Sequence, residues 1–181
     1  MQAQINPHFL FNALNGLRGL IAENPGAAQD AVTRLSQLMR YSLTQSRRAT
    51  VPLSEEIEAV RDYLSIEKMR FEERLQVDWH IESGVEGLEV PPMSLQTLVE
   101  NALKYGIAHL QGGGRVSVSV KREGRDLVLR VTNPGALATG DGGTGLANLR
   151  QRLQLTGGDL ASFQLRESKG TVTAEIRLPI P

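Results

Sequence analysis

The stretch QINPHFLFNALN, Gln4 to Asn15, sets a histidine behind a proline and among aromatic and amide side chains. His8 is one of three histidines in the chain. Pro7 suits the first turn of a helix, where its missing N–H costs nothing, and Asn6 is a natural cap. A helix start favours neutral imidazole, the nucleophilic form, and favours any anion the ring accepts. Steps of +4, +3 and +4 from His8 lead to Asn12, Asn15 and Gly19, so the ring lies on a polar stripe. On its own, a helical histidine is equally compatible with packing or plain exposure.

A second group lies in PPMSLQTLVENALKYGIAHL. Asn101 stands one turn from Lys104 and Tyr105, with Glu100 beside it. An amide oxygen can ligate Mg²⁺, and a lysine one turn on can meet a phosphate. An ordinary solvated helix face has the same composition. A third group is NPGALATGDGGTGLANLRQRL, in which Asn133 ends a strand and a small-residue loop opens a helix. Glycine lets an anion approach the N–H groups of a helix start. The spacing of Gly135, Gly143 and Gly145 is neither a P-loop nor a dinucleotide fingerprint. A lid over a nucleotide and a flexible surface loop both fit it. Gly170 and Thr171 open the last strand.

Composition narrows the classes. The 20 basic and 20 acidic residues balance, so no field for nucleic acid is expected. The absence of cysteine excludes disulfides and thiolate metal sites, and fits a reducing compartment such as the cytoplasm. No apolar run approaches the ~18 residues of a membrane-crossing helix. With aromatics at 4%, Leu, Val and Ala must build the core. Met1 stands seven residues before His8, which suggests that an upstream sensor or membrane region is missing from this piece.

The elements that position these groups follow from periodicity. Leu10, Leu14, Leu17 and Ile21 form a heptad-like seam opposite the histidine stripe. AENPGAA reads as a turn, and a second helix runs from about Ala27 to Ser46, with Ala31, Leu35 and Leu38 on one face. Val32, Met39 and Leu43 lie beside that face. This αα-hairpin buries too little alone, and two copies paired as a four-helix bundle would solve that. SRRATVPL reads as a linker, and Ser54 as the cap of a third helix carrying Ile57, Val60 and Leu64. Glu55 and Glu56 would complement that helix's dipole. Leu75, Val77, Trp79 and Ile81 then alternate as a half-buried strand, with His80 on its wet face. RVSVSVKRE, DLVLRVTN, LASFQLRES and GTVTAEIRLPI read as further strands, and GLANLRQRLQL as a helix. Strands with one apolar face need helices on one side only. The expected class is therefore α+β: a helical hairpin over residues 1–48, then a two-layer α/β sandwich with a mixed, mainly antiparallel sheet over 51–181.

The order of these parts resembles the ATPase fold shared by histidine kinases, DNA gyrase, heat-shock chaperones and mismatch-repair ATPases. Within it, QINPHFLFNALN, VPLSEEIEAVRDYLSIEKMRF, LVENALKYGI and GTGLANLRQRL resemble the LytS-like sensor histidine kinases. The resemblance covers nearly the whole chain, and its first motif is the most diagnostic. It implies ATP-dependent autophosphorylation of His8 and transfer to an aspartate on a response regulator receiver domain. It also implies a homodimer held by the hairpin. By resemblance, Asn101 ligates Mg²⁺ on the ATP phosphates, with Lys104 and Tyr105 nearby. Gly135, Gly143, Gly145 and Leu146 shape the lid, Thr171 lies near adenine, and Arg150 or Arg152 reaches phosphates or solvates its helix. Asn133 stands where the fold usually has an adenine-binding aspartate, which puts adenine affinity in question.

Two departures matter. Many histidine kinases carry an acid directly after the phosphoacceptor, but here the residue is Phe9, which leaves Glu100 as the candidate base. Hydrolytic members place a glutamate four residues before the metal-binding asparagine, and here that residue is Thr97, which favours transfer over hydrolysis. Asn12 can orient water for dephosphorylation of a partner or simply solvate its helix. The alternatives are a hydrolytic ATPase, a degenerate nucleotide-binding module, and a kinase of another protein's Ser/Thr.

Overall fold

The computed structural model describes residues 7–45, 48–137 and 143–180. Two helices come first, α1 (Pro7–Glu23) and α2 (Pro25–Gln45). They are followed by β1 (Val51–Pro52), α3 (Leu53–Phe71), β2 (Leu75–Ile81), β3 (Glu89–Val90) and α4 (Ser94–Tyr105). The chain ends with β4 (Gly114–Glu123), β5 (Asp126–Pro134), α5 (Gly143–Gly157), β6 (Ser162–Ser168) and β7 (Thr171–Pro179). The large sheet has the order β2-β4-β5-β7-β6. Only β2 and β4 run parallel, joined by a crossover that contains α4. The other three pairs are antiparallel, so the sheet is mixed and mainly antiparallel, as the alternation predicts.

One face of the sheet carries the apolar positions of the period-two pattern. Val116, Val118 and Val120 of β4, and Leu127, Leu129 and Val131 of β5, are all buried. They meet Leu95, Leu98, Val99 and Leu103 of α4, while Leu146, Leu149 and Leu153 bury one stripe of α5. Each such side chain contributes ~1.5–3 kcal/mol of transfer free energy. At the β2 edge, Arg61 of α3 lies over the Trp79 ring at 4.5 Å.

Several boundaries differ from the expectation. The predicted turn over residues 22–28 shrinks to Asn24 alone, whose side-chain oxygen accepts the Ala27 N–H at 3.1 Å. Pro25 is then the first helical residue, where it is best tolerated. The supposed linker is partly strand: Val51 pairs with Val90, and Val51 and Leu53 are fully buried. Ser54 is not the cap of α3, which starts at Leu53. The loop carbonyls of Leu88 and Glu86 accept the first N–H groups instead, from Leu53 at 2.8 Å and Ser54 at 2.9 Å. The α1 seam is rotated as well. Phe9, Ala13 and Leu17 are buried, whereas Leu14 and Ile21 are exposed, because α1 leans on α3 of the same chain. The expected Asn6 cap and Ser46 lie outside the described residues.

The outer face of the sheet is a charge lattice. Arg130 and Arg177 flank Glu175 at 2.6 and 2.8 Å, and Arg177 and Lys121 reach Glu123 at 2.7 and 2.9 Å. Val128 sits in register between Lys121 and Arg177, whose stems cover it. Hydrogen bonds from Lys121 and Arg177 hold the Glu123 carboxyl down at about 2. Burial opposes the charge of Glu175, but Arg130 and Arg177 overcome it and keep this carboxyl below its ordinary 4.5. Depressed carboxyls give stability that is present above their unfolded value and lost as pH falls through the folded one. Thermal unfolding followed between pH 7 and 2 is therefore expected to show a melting temperature that falls as pH drops below about 4.5. Glu175→Gln should cost about 2 kcal/mol at neutral pH, with a shallower acid limb.

Candidate active site

The start of α4 is built by a residue from another helix. Pro91 and Pro92 cannot donate backbone hydrogen bonds, and Met93 takes a left-handed backbone at φ 62°. The fully buried Glu56 carboxylate of α3 accepts the Met93 N–H, the Leu95 N–H at 2.9 Å and the Gln96 N–H at 3.5 Å. Tyr41 of α2 donates its hydroxyl to the same carboxylate. Glu56 therefore caps α4 rather than serving the dipole of its own helix. Burial pushes its carboxyl above the ordinary range, against the pull of Tyr41 and the three N–H groups.

The end of α4 is fixed by Gly106. A Cβ there would lie 2.2 Å from Nδ2 of Asn133 and 2.5 Å from the Ala102 carbonyl. The helix therefore stops at Tyr105 rather than running on through His109, and Asn133 is buried beneath its last turn. The Asn133 amide donates to the Pro134 carbonyl at 2.9 Å. Pro134 pairs with Thr171, and the Gly135 N–H donates to the Gly170 carbonyl at 2.9 Å. One end of the central strands thus gathers Asn133, Gly135 and Thr171 against the last turn of α4. From Thr97 at its first turn, α4 steps to half-exposed Asn101 and exposed Lys104. Lys104 Nζ lies 4.9 Å from the Tyr105 ring centre. A Cβ on Gly145 would lie 3.7 Å from the Thr97 methyl, which seats the start of α5 on α4. The Thr97 hydroxyl donates to the Met93 carbonyl at 2.6 Å, so this position holds the helix turn.

On α5, Leu146 is buried and anchors the helix to the core. Arg150, expected to reach phosphates or to solvate its helix, stacks over Phe163 at 5.3 Å. Arg152 donates to the Pro92 carbonyl at the start of α4. The loop at 138–142 lies outside the described residues, and Gly143 is the first residue of α5.

His8 stands exposed in the first turn of α1, and its Nδ1 lies 3.1 Å from the Asn12 amide nitrogen. The neighbouring Phe9 ring packs on Tyr63 of α3 with centroids 4.9 Å apart. Glu67, one turn beyond Tyr63, is 3% exposed and takes both Arg70 hydrogen bonds on Oε2. Burial raises its carboxyl, while Arg70 and His8 act in the opposite direction. Burial likewise raises Glu100, which accepts from Gln96 at 2.8 Å and feels the like charge of Glu67. Motif reading passed over Glu67, a buried carboxylate of α3 that interacts electrostatically with both His8 and Glu100. Its signal was present: Ile57, Val60, Leu64 and Phe71 step along an apolar stripe that Glu67 interrupts.

A family model described as histidine kinase matches residues 1–75. The sensor histidine kinase BtsS of Escherichia coli K12 is 40% identical over 162 residues, covering 88% of this chain and 29% of BtsS. The sensor protein LytS of Enterococcus faecalis is 34% identical over 196 residues, covering 100% of this chain and 33% of LytS. The chain thus spans about a third of the length of these relatives. The solved histidine kinase AdeS of Acinetobacter baumannii shares the fold, with a TM-score of 0.51 at 15% identity over 95% of each chain. In the order of its strands and helices and in its motifs at His8 and Asn101, the chain is similar to histidine kinases, LytS-like sensor kinases among them.

Proposed function

We propose that this chain is the catalytic core of a two-component sensor kinase, in which His8 takes the γ-phosphoryl group of ATP and passes it to an aspartate of a response regulator. The observation that carries the reading is an exposed histidine in the first turn of α1 on the same chain as α4, whose half-exposed Asn101 and exposed Lys104 precede a helix end seated on buried Asn133. Residues 1–48 then serve as phosphoacceptor and dimerisation hairpin, and 51–181 as the ATP-binding domain. The exposed Leu14, Ile21, Val32 and Leu43 give the hairpin an apolar surface for a second copy. A cytoplasmic setting suits a chain without cysteine in which no described helix is long and apolar enough to cross a membrane.

The residues present fit ATP and Mg²⁺. Among the described residues no group of three or more His, Cys, Asp or Glu could hold a metal. A neutral amide oxygen on half-exposed Asn101 suits a hard cation that keeps most of its shell from phosphates and water. Bound there, Mg²⁺ supplies neutralisation of charge on the transferring phosphoryl group. Lys104 adds a second positive charge one turn on, and Tyr105 flanks it. Asn133 spends its amide N–H on Pro134, so its oxygen is the atom to accept the adenine amino group. Glu100 stays the α4 carboxylate nearest the metal candidate, and Asn12 holds the His8 ring. Gly135, Gly145 and Thr171 line the approach.

The test is incubation with γ-labelled ATP and Mg²⁺, set beside a titration of ATP binding. The parent is expected to gain acid-labile, base-stable label. Asn101→Asp should lose about 10²-fold or more of it. Turnover of ATP without labelled protein would instead identify a hydrolytic ATPase, and no binding at all a degenerate site.

A further inference from the structure

The backbone at the entry to α4 is held group by group. The Pro91 carbonyl accepts the Ser94 hydroxyl at 2.6 Å, the Pro92 carbonyl accepts Arg152, and the Met93 carbonyl accepts the Thr97 hydroxyl. Met93 is one of three non-glycine residues with positive φ among the described residues. Such a backbone persists only where its surroundings over-determine it. Its N–H donates to Oε1 of Glu56, and the Tyr41 hydroxyl of α2 donates to the same oxygen. Oε2 accepts from Leu95 and Gln96. Burial and the Glu56 charge push the Tyr41 phenol up, so the hydroxyl stays protonated and remains the donor. Asn101 lies about 12 Å further along α4, at 1.5 Å per residue. The helix between is buried from Ser94 to Val99, so a tilt or slip at its entry is passed on to Asn101.

We propose that Tyr41 is a positioning residue for nucleotide binding: the helical hairpin, through the carboxylate of Glu56, sets the start of α4 and with it Asn101 and Lys104. The assignment rests on the kinase reading above. The phosphoacceptor hairpin and the nucleotide domain then share one hydrogen-bonded joint. Without the Tyr41 hydroxyl, Oε1 of Glu56 keeps Met93 alone, and the carboxylate is freer to turn away from a backbone that needs holding. Nucleotide affinity therefore depends on how α2 is seated. By linkage the dependence is reciprocal, so bound nucleotide favours the seated α2 to the same degree. A second contact of the same two helices serves as the comparison. Arg34 of α2 pairs with Asp62 of α3 at 2.9 Å, two turns from Tyr41 and away from Glu56.

Two readouts test the joint, both taken well below the melting transition. Tyr41→Phe removes the hydroxyl and keeps the ring that packs against the core. In titrations with ATP and Mg²⁺ it should raise Kd about 5- to 10-fold, the worth of one hydrogen bond. The labelling rate at saturating ATP should stay within about threefold of the parent. Arg34→Gln, which loosens the same helix pair elsewhere, should leave Kd within about twofold. In the nucleotide-free chain, Tyr41→Phe should quicken hydrogen exchange at the Met93, Leu95 and Gln96 amides about 10-fold, and Arg34→Gln should not. A Tyr41→Phe chain whose Kd stays within twofold of the parent would overturn the assignment. So would an equal rise of Kd in Arg34→Gln, which would make Tyr41 one of many contacts that merely seat the hairpin. Faster exchange in Tyr41→Phe beside a parent that binds no ATP would keep the hold of Tyr41 on α4 and overturn the kinase reading instead.

Discussion

A His8→Gln chain is expected to take up no γ-phosphate, a loss of at least ~10³-fold, while its affinity for ATP stays within twofold of the parent. Glutamine keeps a polar side chain that can still meet Asn12, but it has no ring nitrogen to bond to phosphorus. The nucleotide candidates Asn101, Lys104, Asn133 and Thr171 belong to α4, β5 and β7, and His8 belongs to the first turn of α1. Binding and transfer should therefore separate cleanly. Labelling followed by mass spectrometry, with a binding titration in parallel, checks both halves. Residual label on the variant would move the acceptor to another group, such as exposed His80 or His109.

The second large effect concerns stability. Glu56→Ala strips the cap from α4 and leaves the N–H groups of Met93, Leu95 and Gln96 and the Tyr41 hydroxyl without their shared acceptor. Arg152, which feels the Glu56 charge, loses it too. Orphaned buried donors cost ~1–3 kcal/mol each, and they are not additive at one site. A loss of about 4 kcal/mol is expected, lowering Tm by about 10 °C. Glu56→Gln should lose less, because an amide oxygen still accepts two N–H bonds. Tyr41→Phe should cost about 1 kcal/mol, the worth of a single hydrogen bond. Differential scanning calorimetry of the three variants sets this order. A Glu56→Ala chain melting within 3 °C of the parent would remove the carboxylate from its role.

Much of this architecture is legible in the sequence because long elements repeat their signal. The alternation through β2, β4, β5 and β7 and the heptad-like steps of the helices survive any local exception. The two-residue strands β1 and β3 carry no period at all, and they exist only because Val51 and Val90 meet across the fold. The rotation of α1 was also hidden. Phe9, Ala13 and Leu17 form as good a stripe as Leu10, Leu14, Leu17 and Ile21, and only the position of α3 decides between them. At the site, the histidine and asparagine motifs stand out by residue type and spacing. Glu56 and Glu67 look like ordinary helix glutamates until the neighbouring α4 and α1 are in place, since burial is a tertiary property. Arg150 shows the converse: its charge is legible in the sequence, but its seat over the Phe163 ring is not.

The strand order also bears on how the chain folds. The β4–β5 and β6–β7 hairpins join neighbours in sequence and can close early at small entropic cost. The seams between β5 and β7, and between β2 and β4, join strands far apart in the chain and must pay loop closure before any contact rewards it. Asn133 and Pro134 meet Val172 and Thr171 on the first of these slow seams. The end of the sheet proposed to take the nucleotide therefore has no local precursor. It comes into being only when the two hairpins have docked, so its assembly reports the completion of the whole fold.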